Sequence, residues 1–141
     1  MLPADTDEKI IDLLLQNADL TYKEISKKLR LNESTVRKRV LSLRKRGVIR
    51  KFLVEVDAEK LGYRSRALLL LDVDPLKMME VGRKLVLVPE ARFVGSTSGG
   101  HDFYVMVWTK NTESLAQVID HVATIEGVAK ITPCFIVERL K

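Results

Sequence analysis

Residues 30–51 hold nine basic side chains and one acidic one: Arg30, Arg37, Lys38, Arg39, Arg44, Lys45, Arg46, Arg50 and Lys51 against Glu33. The local net charge is +8, while the whole chain carries +5, so the excess charge sits in one short stretch. The stretch also has a helical period. At 100° per residue Val36, Val40 and Leu43 fall in a narrow arc, with Ser34, Lys38, Leu41 and Lys45 opposite and Arg37 and Ser42 flanking them. A basic helix with one apolar stripe suits a polyanion, because each phosphate it neutralises releases condensed counterions.

The flanking sequence narrows the architecture. Asp5 or Thr6 is expected to cap a first helix with Ile10, Ile11, Leu14 and Leu15 on its apolar face, and Asn17-Ala18-Asp19 ends it. Thr21 and Glu24 have the spacing of a capping box for a second helix, with Ile25 and Leu29 inward. Leu31-Asn32 is a short turn, Asn32 caps the third helix, and Gly47 stops it. Three short helices with a brief turn before the last make a helix-turn-helix. In such a unit small polar side chains near the start of the last helix approach base edges, and longer cations reach bases or phosphates. Asn32, Ser34, Thr35, Arg37, Lys38 and Lys45 are the candidate DNA contacts. Arg39, nearer the core margin, packs its stem and sends its head to a phosphate. Arg50, just beyond, suits a phosphate as well.

After Gly47 the period changes to two, and Val48–Val56 reads as a strand leaving the third helix. Asp57–Gly62 reads as a linker. The expected division is a helix-turn-helix domain at 1–50, a connecting strand and linker at 51–62, and a second domain at 63–141. Within the last, Ala67–Val73, Ala91–Ser98, Asp102–Thr109 and Val128–Glu138 are expected strands. A helix from Asp74-Pro75 to Leu85 has Met78, Met79, Val81 and Leu85 as core candidates, and a helix capped by Asn111 or Thr112 turns Leu115, Val118, Ile119 and Val122 inward. The order β-α-β-β-α-β predicts a ferredoxin-like α+β domain, an antiparallel sheet with both helices on one face. Leu68, Leu70, Phe93, Tyr104, Met106 and Trp108 supply apolar material for the other face, and an uncovered apolar face predicts self-association.

Composition excludes several classes. With 46% hydrophobic residues over 141 positions, the chain has material for a core. One cysteine, Cys134, allows no internal disulfide and fits a reducing cytoplasm. No apolar run has the length of a membrane span, and no secretory signal precedes the first helix. His101 and His121 share no metal-ligand spacing with Cys134, so no metal and no cofactor is expected. Ser96 and Ser98 lack a nucleophile-elbow context, and there is no phosphate loop.

Thr21–Leu29, Ser34–Val40, Leu43 and Gly47-Val48-Ile49, followed by Gly100-His101-Asp102 and Ile125-Glu126-Gly127-Val128, resemble the leucine-responsive and asparagine-responsive (Lrp/AsnC, feast/famine) transcription regulators. The resemblance covers almost the whole chain. It departs at Arg30, where relatives commonly carry glycine, so either mild strain or a different turn is expected there; Asn32 stands where serine is usual. Ser98, Gly99, Gly100, His101 and Asp102 form the one stretch of the second half with ligand-binding chemistry, since paired glycines open backbone N–H groups to a carboxylate and Asp102 suits an ammonium. Taken alone the stretch reads first as a hairpin turn. The resemblance implies an effector there, usually an amino acid, in a cleft between dimers to which Thr132 and Cys134 of a neighbouring subunit contribute. It also implies homodimers joined through the strand after the helix-turn-helix and through back-to-back sheets, often assembling to octamers. A tetrapyrrole-processing enzyme, siroheme decarboxylase, resembles the same architecture and is the rival reading. The concentrated charge of the third helix speaks against it.

Overall fold

The computed structural model describes residues 4–138. The chain forms two compact units, Met1–Glu55 and Val56–Lys141.

The first unit holds α1 (Ala4–Gln16), α2 (Tyr22–Leu29) and α3 (Glu33–Lys45) around Ile10, Ile25, Val36, Val40 and Leu43, all buried. Helix α1 begins at Ala4, ahead of both expected caps; Asp5 instead pairs with Lys9 one turn on, at 2.7 Å. Its inner face uses Ile10, Ile11, Leu13 and Leu14, whereas Leu15 is 80% exposed. Leu15 lies about 140° round the helix from Ile10, which carries it off the buried arc.

The capping box of α2 is complete. The Glu24 N–H donates to Thr21 Oγ1 at 3.2 Å, and the Thr21 N–H donates to Glu24 Oε2 at 2.8 Å. Hydrogen bonds from the Thr21 hydroxyl and backbone hold the Glu24 carboxyl below its ordinary value. Arg30 ends α2 at φ 54° and ψ 43°. It takes the left-handed conformation that glycine would adopt without strain, so the turn keeps its shape at a steric cost. Asn32 occupies the cap position of α3, but its side chain makes no capping bond. Gly47, at φ 73°, closes the end of α3.

The expected strand over Val48–Val56 is absent: residues 50–57 have no regular secondary structure. The alternation is real, yet a strand needs a neighbour to pair with, and the one sheet among the described residues lies in the other unit. Phe52, Leu53 and Val54 stay exposed.

The second unit opens on a turn at Ala58–Gly62, where Asp57 Oδ1 accepts from the N–H groups of Glu59 and Lys60 at 3.1 Å. Next come β1 (Ser65–Val73), a 3-10 turn (Pro75–Lys77), α4 (Met78–Leu85), β2 (Ala91–Ser96), β3 (Phe103–Thr109), α5 (Thr112–Ala123) and β4 (Val128–Phe135). The sheet order is β2-β3-β1-β4 and every pairing is antiparallel, the expected ferredoxin-like arrangement. Strands β2 and β4 end earlier than alternation suggested, at Ser96 and Phe135. The helix expected from Asp74 starts as a 3-10 turn, with Asp74 Oδ1 accepting from the Leu76 N–H at 2.9 Å.

One face of the sheet packs on α4 and α5. Ala67, Leu69, Leu71 and Val73 of β1 and Phe103, Val105 and Val107 of β3 join Val81, Leu85, Leu115, Val118 and Val122 there. Met79 is 74% exposed and lies outside this core. The opposite face pairs Leu68 with Met106 and Cys134, Leu70 with Tyr104 and Thr132, and Arg66 with Trp108. Tyr104 stacks on Phe93 at 5.3 Å and lies so close to Gly95 that a Cβ there would sit 2.5 Å from its ring. No helix among the described residues is long and apolar enough to cross a membrane.

Candidate functional site

The first candidate surface is the outer side of α3. Burial of Val36, Val40 and Leu43 fixes the helix rotation, and Asn32, Ser34, Arg37, Lys38, Leu41, Ser42, Arg44 and Lys45 are then exposed, with Thr35 half-buried. Ser34 precedes Lys38 by one turn, and Arg37 flanks them. Leu41 adds an apolar side chain, 49% exposed, to an otherwise polar face. Arg50 is exposed in the segment after α3.

Arg39 behaves differently from its expected role. Its guanidinium binds the Asp7 carboxylate of α1, and only 18% of its side chain is exposed. Arg46 reaches the second oxygen of Asp7 at 3.3 Å. The head expected to reach a phosphate therefore ties α3 to α1. An aspartate 32 residues upstream gave no local signal of this, since the pairing depends on how the two helices cross.

The second candidate surface is the turn between β2 and β3. The Asp102 N–H donates to Leu71 O at 2.8 Å, its carbonyl accepts from the Thr97 N–H at 2.9 Å, and its Oδ2 accepts from the Val73 N–H at 2.8 Å. Asp102 is thereby locked against the end of β1, and Oδ1 is the carboxylate oxygen left over. The Gly99 N–H is already engaged by Thr97 Oγ1 at 3.1 Å, so the loop itself uses one of the two expected glycine donors. Ser98, Gly99 and Gly100 are exposed, and a Cβ at Gly100 would meet nothing within 4 Å.

His101 Nδ1 lies 2.7 Å from Asp72 Oδ1. Asp72 was not singled out from the sequence. The alternation Leu68, Leu70, Asp72 along β1 does put a carboxylate at the end of that face, but the 29-residue separation from His101 hides the pairing. Thr132 and Cys134 lie on this same face of β4, opposite Leu70 and Leu68. They sit two and four residues along β1 from Asp72, so within one chain they stand back from the hairpin.

Known family models match each of the two units. Residues 4–50 match the winged helix-turn-helix DNA-binding model, and residues 66–141 match the Lrp/AsnC ligand binding domain. The chain belongs to the Lrp/AsnC family of transcription regulators. It is 44% identical to the HTH-type transcriptional regulator FL11 of Pyrococcus furiosus over 88% of this chain and 82% of that one. It is 36% identical to LrpA of Pyrococcus abyssi, over 97% and 98%. Among solved structures, a transcriptional regulator of Neisseria meningitidis in complex with L-Met superposes with a TM-score of 0.85 at 21% identity, over 100% of this chain and 93% of that one. The family and these relatives are regulators, not enzymes, which sets aside the tetrapyrrole decarboxylase reading.

Proposed function

We propose that this family member is a cytoplasmic, sequence-specific DNA-binding regulator whose assembly or DNA affinity responds to a free amino acid. The observation that carries the first half is the orientation of α3. Its apolar stripe is fully buried, so Ser34, Arg37 and Lys38 face outward on the first turns of a helix that follows a tight turn. In the proposal Ser34, Thr35, Arg37 and Lys38 approach base edges, and Asn32, Lys45 and Arg50 position the backbone. Arg39 is left out of the phosphate contacts because Asp7 holds it.

The effector is proposed to sit at Ser98–Asp102. Gly100 leaves backbone open to a carboxylate, and Asp102 Oδ1 suits an ammonium while Oδ2 stays on Val73. Homodimers form through the uncovered sheet face of Leu68, Leu70, Phe93, Tyr104, Met106 and Trp108, and through residues 51–56 pairing between subunits. Dimers assemble further to octamers, and Thr132 and Cys134 of a neighbouring subunit complete the effector cleft.

Calorimetric titration with each of the twenty amino acids tests the sensing half. At least one should bind at millimolar concentration or below, and Asp102→Asn should weaken it by about 1.5–3 kcal/mol, the range for a hydrogen bond to a charged group. The asparagine oxygen retains the Val73 contact, so the fold should survive. No heat with any amino acid leaves a DNA-binding protein without this effector class.

A further inference from the structure

Asp7, in the first turn of α1, lies outside the +8 segment and opposes its charge. Its Oδ1 accepts from Arg39 Nη1, and its Oδ2 accepts from Arg46 Nη1 at 3.3 Å. One carboxylate thus holds two of the nine basic side chains of residues 30–51. The Asp7 side chain is 19% exposed and that of Arg39 is 18% exposed, so water and salt screen their pair weakly. Arg46 is 57% exposed and makes the looser contact. A strut between two helices needs one arginine. An arginine largely in water gains little stability from an ion pair, so the capture of Arg46 alters the charge that α3 presents more than it alters the fold.

The two arginines share one flank of α3. The seven residues between them make about 20° less than two full turns and place them about 10 Å apart along the axis. That flank lies about 80–100° round the helix from Lys38, on the side away from Arg37. When Ser34, Arg37 and Lys38 face base edges, the flank is turned aside. A complex without base contacts has no such fixed roll, and the protein settles wherever its cations find phosphate. Two guanidinium groups set loose on this flank would add phosphate contacts chiefly to non-specific complexes. Specificity is a difference of two affinities, so such contacts narrow it.

We propose that Asp7 is a positioning residue that withholds Arg39 and Arg46 from phosphate and thereby keeps non-specific DNA affinity low relative to specific affinity. This rests on the DNA-binding reading above. Asp7 touches no DNA and acts only through the two arginines.

The test measures binding of the full-length protein and its Asp7→Asn variant across salt. It uses two duplexes of equal length, one with a selected binding sequence and one without it. Asparagine keeps the shape and an acceptor oxygen but not the charge. The variant should bind the unselected duplex about three- to tenfold more tightly near about 100 mM salt, with a log–log slope steeper by about 1–2 per subunit. It should gain less on the selected duplex. Loss of a strut alone would lower the melting temperature and leave that slope where it was. Unchanged affinity and slope on the unselected duplex overturn the proposal, and so does equal tightening on both duplexes. Should Asp7→Asn not fold, Arg46→Gln and Lys45→Gln decide, because both positions are exposed. Lys45→Gln should make the slope on the unselected duplex shallower by about 1 per subunit, and Arg46→Gln should leave it nearly unchanged. Equal losses from the two overturn the proposal. Failure of the unmodified protein to bind either duplex would refute the DNA-binding reading itself.

Discussion

The helix-turn-helix unit and the sheet unit expose their chemistry in different ways. In the first, the candidate surface is a row of side chains at helical spacing, and the same spacing buries Val36, Val40 and Leu43 behind it. Three buried residues thus fix which cations face outward. In the second, the candidate site is a backbone turn held by partners remote in sequence: Asp102 on Val73, His101 on Asp72. A helix declares its outward face through its own residues, whereas a hairpin acquires its geometry from the strand beside it.

The cores differ as well. Five fully or almost fully buried apolar residues hold the three helices, against fourteen buried residues between the sheet and α4 and α5. The sheet unit should therefore tolerate a lost methyl group less through local collapse and more through reserve. Leu69, central on β1 and wholly buried, is the sharpest test. Leu69→Ala should destabilise by about 2–5 kcal/mol in a urea titration followed by Trp108 fluorescence. A change under about 1 kcal/mol would mean that the sheet is not packed as described.

A smaller effect separates the two roles of the basic residues on α3. Lys38→Ala should weaken binding of a selected sequence by about 1–3 kcal/mol and relax sequence preference. Arg39→Ala should instead lower stability, because it leaves Asp7 with Arg46 alone, and should preserve the preference among sequences. If Arg39→Ala relaxed specificity as Lys38→Ala does, the Asp7 tie would not persist on DNA.

The smallest effects concern the start of α2. Thr21→Ala removes a side-chain cap and should cost about 1 kcal/mol. It should also raise the Glu24 pKa toward its ordinary 4.5, since the Thr21 bonds are what lower it. The folded pKa lies below the unfolded one, so the contribution of Glu24 is complete above the unfolded value and lost as pH falls through the folded value. An NMR titration of the Glu24 carboxyl in both proteins measures this; coincident midpoints would contradict the capping box.

The contrast explains what the sequence made legible. The βαββαβ order, the three helices, the capping box and the outward face of α3 all follow from periods and local signals. The strand expected over Val48–Val56 did not appear, because alternation shows that a strand is suitable but not that a partner is present. Leu15 and Met79 were misplaced because each lies on the far side of its helix, Leu15 about 140° from Ile10 and Met79 about 160° from Val81. Arg39–Asp7 and His101–Asp72 join residues 32 and 29 positions apart, with no periodic trace.

The central claim is that α3 grips DNA through the +8 segment of residues 30–51. The most direct measurement is the binding constant of the full-length protein for a DNA fragment selected from genomic sequence, taken across salt from about 50 to 200 mM. The account predicts a log–log slope on the order of −5 to −10 for a dimer neutralising several phosphates per subunit. A binding constant that stays flat over that range would contradict it.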